Sequence, residues 1–116
     1  MNLRFHLKFV RGIELNKQDF LNKGFQRFAE RRYERAILLF RKALELDSLL
    51  EPAYSGLSES LNRLGRIDEA IPIVKKWIEI NRNDPLAHMA LSRLYVQKGM
   101  KEKAEEEMAI SRFLAR

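Results

Sequence analysis

Chemistry in this chain would have to come from histidine, carboxylate or guanidinium groups, because there is no cysteine. That excludes a thiolate nucleophile, a thiolate zinc site and a disulfide framework. The only histidines, His6 and His88, stand far apart, with no serine or carboxylate partner at a recognisable spacing. Two such rings make neither a general-base arrangement nor a metal ligand set. For His88 a packing role is the expectation. Glu105-Glu106-Glu107 are consecutive, and consecutive side chains on a helix do not face each other, so they read as a solvated stretch rather than an acid–base pair. Neither G-x-x-x-x-G-K-[ST] nor G-x-G-x-x-G occurs, so no phosphate loop is present. No catalytic residue, metal or cofactor is expected, and the chain reads as a non-enzyme.

Charge is the remaining resource, and it is unevenly placed. Lys and Arg total 22 against 16 Asp and Glu, a net +6. Residues 1–42 hold 11 basic and 4 acidic residues (+7), and the rest hold 11 and 12 (−1). Arg27, Arg31, Arg32 and Arg35 form the densest cluster. Such a patch suits nucleic acid or an acidic surface, or is simply a solvated helix face, since charge alone carries no specificity. RNA readers add stacking aromatics and base-by-base contacts, which this pattern lacks, so nucleic acid is the secondary reading.

The elements that must carry these groups are helical. At 116 residues and 13.7 kDa the chain suits one domain. With 46% hydrophobic and 33% charged residues, five Gly and three Pro, it reads as all-α and globular. No apolar run is long enough to cross a membrane. Met1 to Arg11 interleaves charged with apolar residues, unlike a secretory signal, which leaves the cytoplasm as the expected compartment. In residues 1–16, Leu3, Phe5, Leu7 and Phe9 alternate as in an extended strip, whereas Leu3, Leu7 and Val10 would align on a helix. Either form could cap the first helical unit that follows.

Beyond residue 16 the sequence repeats. Ala36, Ala70 and Ala104 lie 34 residues apart, and in the same register fall Gly24, Ser58 and Ser92. Phe40, Val74 and Met108 match likewise, as do Leu46, Ile80 and Leu114, and Phe20, Tyr54 and His88. Each unit splits into two amphipathic stretches, such as Tyr54, Leu57, Leu61 and Leu64 followed by Ile71, Val74 and Ile78. Gly65 and Gly99 terminate the first helices of their units as residues able to take φ > 0. Asp68 reads as an N-cap, and Asp84-Pro85 as an N-cap with proline at the first helical position. Pro72 is placed inside the first turn of its helix, where it removes at most one hydrogen bond. Six helices are predicted, near 17–30, 34–47, 51–64, 68–81, 85–98 and 102–115. The small residues let two antiparallel helices approach closely while a third wedges against them.

This pattern resembles the tetratricopeptide repeat family. Tyr33 to Asp47 is similar to that family's second helix almost residue for residue, and the likeness runs over residues 17–116 as repeats 17–50, 51–84 and 85–116. It implies a right-handed superhelix of three antiparallel helix pairs. Departures are Lys23 for the usual Leu, Arg31 for the turn Gly, His88 at an aromatic position, and Trp77 where Ala43 and Ser111 are small. Trp77 should alter the packing of the second unit on the third.

The resemblance further implies a protein-binding scaffold whose first helices line a concave groove. Carried onto this sequence, the groove positions are Leu21, Phe25 and Phe28 in repeat 1, Glu59, Asn62 and Arg63 in repeat 2, and Met89, Arg93 and Val96 in repeat 3. Apolar at one end and basic further along, such a groove suits a peptide or helix with hydrophobic anchors and an acidic group. Some members of the family clamp heat-shock chaperone carboxylates with Lys, Asn and Arg. The matching positions here are Leu21, Phe25, Gly56, Leu86 and Ala90, which donate nothing, so that partner is rejected. Trp77, Ile110 and Phe113 are expected to form an uncovered face that self-associates or meets a partner.

Overall fold

The computed structural model describes residues 15–116, so the two readings of the N-terminal strip lie outside the described residues. Among the described residues six helices follow one another: α1 Lys17–Ala29, α2 Tyr33–Leu46, α3 Glu51–Arg63, α4 Ile67–Ile80, α5 Pro85–Gln97 and α6 Lys101–Leu114. Every boundary falls within one residue of the sequence reading. The helices pair in order as α1/α2, α3/α4 and α5/α6, while α2 on α3 and α4 on α5 join the pairs.

The turn within each pair is built the same way three times. At Gly65 (φ 76°) the chain enters the left-handed region, and the Arg66 amide closes back on the Leu61 carbonyl at 2.9 Å. Gly99 (φ 78°) and the Met100 amide on the Tyr95 carbonyl repeat this at 2.9 Å. The first turn uses Arg31 (φ 62°) instead, with the Arg32 amide on the Arg27 carbonyl at 2.9 Å. A side chain there costs about 1 kcal/mol that glycine avoids.

These closures also fix where the next helix begins, and they correct the N-cap reading of Asp68. The carbonyl of Arg66 receives the Ala70 amide at 3.1 Å, so α4 starts at Ile67 and Asp68 lies one residue inside it. The capping role falls to Arg66, which makes no side-chain cap bond. Asp84 does cap, accepting the Leu86 amide at 2.9 Å ahead of Pro85. α1 carries a full capping box that the sequence reading missed. Asn16 accepts from the Asp19 amide at 3.0 Å, and Asp19 accepts from the Asn16 amide at 2.8 Å. Pro72 is the sixth residue of α4, in its second turn rather than its first. It still removes only one bond, to the Asp68 carbonyl.

The turns between pairs are pinned by one repeat column. Tyr54 Oη donates to the Ser48 carbonyl at 2.7 Å, and His88 Nε2 lies 3.0 Å from the Arg82 carbonyl, six residues back in both cases. His88 therefore replaces a tyrosine in kind, and its Nδ1 is taken by Glu107 at 2.7 Å. Neither ring nitrogen is left for a reactant.

The core runs along the stack. Ala36, Ala70 and Ala104 are buried where each second helix meets the first. Phe40 is fully buried beneath Gly24 and Gly56, where an added Cβ would lie 2.7 Å and 2.3 Å from its ring. Only glycine lets α1 and α3 close over that ring. Trp77 corrects an expectation: it is 5% exposed and belongs to the core, not to an uncovered face. Its Nε1 donates to Glu51 Oε1 at 3.0 Å, which draws the indole inward against α3.

Candidate functional site

The first helices α1, α3 and α5 present one face, and the repeat spacing stacks their side chains into columns. One column is Phe25, Glu59 and Arg93, and another is Phe28, Asn62 and Val96. Phe25 is 40% exposed, with its edge on Phe40 at 4.8 Å between ring centroids. Phe28 is half-buried, edge-on to Tyr33 at 5.4 Å, with the Arg63 guanidinium 5.6 Å from its ring centre. Arg63 also donates to Tyr33 Oη at 3.4 Å.

Glu59 ties the repeats together. Its Oε1 accepts from Arg63 Nε at 3.0 Å, and its Oε2 accepts from Arg93 Nη2 at 3.2 Å. The Glu59 bond raises the pKa of Arg63 above its already high ordinary value, so the guanidinium stays charged. A connected path thus runs from Phe28 in repeat 1 through Arg63 and Glu59 to Arg93 in repeat 3.

Of the groove positions expected from sequence, this face brings together Phe25, Phe28, Glu59, Arg63, Met89 and Arg93, with Asn62 half-buried and Val96 exposed beside them. Leu21 does not join them. It is 6% exposed and packs in the core.

Between α3 and α5 the chain behaves differently. Their backbones make no approach comparable to that of α1 and α3. A cleft of about 210 Å³ lies there, lined by Ser55, Glu59, Trp77, Leu86, Met89 and Arg93 among others. Trp77 is the lining residue that sequence reasoning assigned elsewhere. The available signal was its column, where Ala43 and Ser111 are small.

The basic cluster sits at the turn from α1 to α2. Glu30 pairs with Arg27 at 2.7 Å and lies 3.8 Å from Arg32, so one carboxylate serves two of the four arginines. Arg31 and Arg35 are exposed beside it. Ile110 and Phe113 are exposed on α6, with the Arg116 guanidinium 5.1 Å from the Phe113 ring centre, but Trp77 lies on α4 and does not extend that face. Among the described residues no helix is long and apolar enough to cross a membrane.

Comparison with known proteins places this geometry. The sequence profile described as Tetratricopeptide repeat matches residues 27–94. A structure of MamA (MSR-1) is 26% identical with a TM-score of 0.80, covering 86% of this chain and 57% of that one. The chain therefore spans a little under three fifths of that MamA chain. The type III secretion chaperone SycD of Yersinia enterocolitica, in complex with a peptide of the translocator YopD, is 21% identical with a TM-score of 0.81. That alignment covers 84% of this chain and 74% of SycD. At that identity the likeness is one of fold. No protein of curated function matches the sequence.

Proposed function

We propose, from the premise that this chain belongs to the tetratricopeptide repeat family, that it is a binding module holding a peptide or helix of a partner protein on the face of α1, α3 and α5. The carrying observation is the continuous side-chain path from Phe28 through Arg63 and Glu59 to Arg93, flanked by exposed Phe25, Met89, Leu86 and Val96. Exposed apolar side chains in line with fixed charges are what a linear partner segment needs: anchors for affinity and polar groups for register. Stacked helix pairs hold those groups in place before binding, which lowers the ordering cost of association. The peptide complex of SycD lends support from a protein of the same fold. The module works by binding and not by catalysis.

Anchors already about half-covered gain about 1 kcal/mol each on full burial, so the four together supply about 4 kcal/mol, about a thousandfold in Kd. The test is a quantitative pull-down from cells of the source organism, wild type beside Phe25→Ala/Met89→Ala, with thermal melting to check folding. Partners retained by wild type and reduced about tenfold or more on the double variant support the reading. Equal recovery by both proteins rejects it.

A further inference from the structure

We infer that the cleft between α3 and α5 is a specificity pocket, taking one branched or aromatic apolar side chain of an acidic partner segment while Arg93 holds a carboxylate of that segment. This rests on the peptide-binding reading and names what the face selects.

Size comes first. An apolar cavity of about 150 Å³ accommodates benzene, whereas small-molecule sites run to about 300–1,000 Å³. At about 210 Å³ the cleft fits one large side chain and is small for a cofactor. Its wall is preformed: the Trp77 indole is fixed through Nε1 to Glu51 Oε1 at 3.0 Å, and Asn81 Nδ2 holds the same oxygen at 3.2 Å. Met89 supplies an adaptable thioether wall, and Leu86, 61% exposed, stands at the mouth.

The opening coincides with changed side chains in three columns: Ser58 and Ala90 replace Gly24 and Gly56, and Trp77 replaces Ala43. At the corresponding place in repeat 1 stands Ala43, and there α1 and α3 come together. In repeat 2 the indole fills that space, and α5 stands off from α3.

Charge decides the class of segment. Two guanidinium groups, Arg63 and Arg93, share the single carboxylate of Glu59 at the rim. The Arg93 side chain is more than half exposed and reaches Glu59 through only one of its nitrogens, so donors remain to grip an incoming carboxylate. A basic segment would meet a rim with two guanidinium groups against one carboxylate, a net positive charge.

Trp77 is the only tryptophan in the chain, so its emission reports directly on the cleft. The experiment selects random phage-displayed peptides on the full chain and titrates the recovered sequences as synthetic peptides. Recovered peptides should carry an apolar residue next to Asp or Glu, and should change Trp77 emission. They should lose about tenfold in affinity on Arg93→Ala and on Ala90→Leu, which fills the cleft. If Ala90→Leu does not fold, the emission of wild type and the exposed Arg93→Ala variant still decide the matter. Peptides that bind without changing Trp77 emission, ignore Arg93→Ala and are lost on Phe25→Ala overturn the pocket but leave the groove standing. Recovery of no peptide, or binding indifferent to all these changes, overturns the groove and the pocket with it.

Discussion

The two junctions between helix pairs solve the same packing problem with opposite results. At the first, Phe40 fills the space under Gly24 and Gly56, Ala43 is small, and α1 closes on α3. At the second, Trp77 stands in the Ala43 column and a cleft separates α3 from α5. At the closed junction Leu21 is committed to the core, while Phe25 stays 40% exposed. The open one leaves Met89, Leu86 and Arg93 available to a partner. The same repeat can thus serve stability or recognition according to where the glycines and the large rings are placed.

Substitutions at the two rings and their neighbours sharpen this contrast, each read by denaturant or thermal unfolding. Phe40→Ala should cost about 4 kcal/mol, the usual price of deleting a fully buried aromatic side chain. Gly56→Ala should cost about 3 kcal/mol, because its Cβ would meet the Phe40 ring from 2.3 Å. That loss should shrink in a Phe40→Leu background, and full additivity would show that the two do not collide. Trp77→Ala should cost only about 2 kcal/mol although the indole is larger, since α5 can settle toward α3 and collapse the space. A loss as large as that of Phe40→Ala would erase the distinction between the junctions. Smallest is Arg31→Gly, away from both rings, which should stabilise by about 1 kcal/mol by relieving a side chain held at φ 62°.

Much of the fold was legible because its signals are local or periodic. The 34-residue columns located all six helices, and Gly65 and Gly99 marked two of the three tight turns. What escaped depends on partners across space. Asp68 looked like a cap because of its residue type, but the closure from Arg66 to Leu61 sets the start of α4. Trp77 was recognised as out of place in its column, yet only the position of Glu51 shows which way the indole turns. Leu21 sits at a groove position, but its burial depends on neighbours across space that the residues of α1 alone do not specify. The ion pair of Glu59 with Arg93 spans one repeat, so its column was visible while the bond was not.

The most direct test is a crystal structure of Trp77→Ala. Without the indole, α5 should move toward α3 and the cleft should narrow, stopping short of the α1–α3 approach because Ser58 and Ala90 stand where that junction has glycines. Unchanged helix spacing around an indole-shaped void would contradict the account.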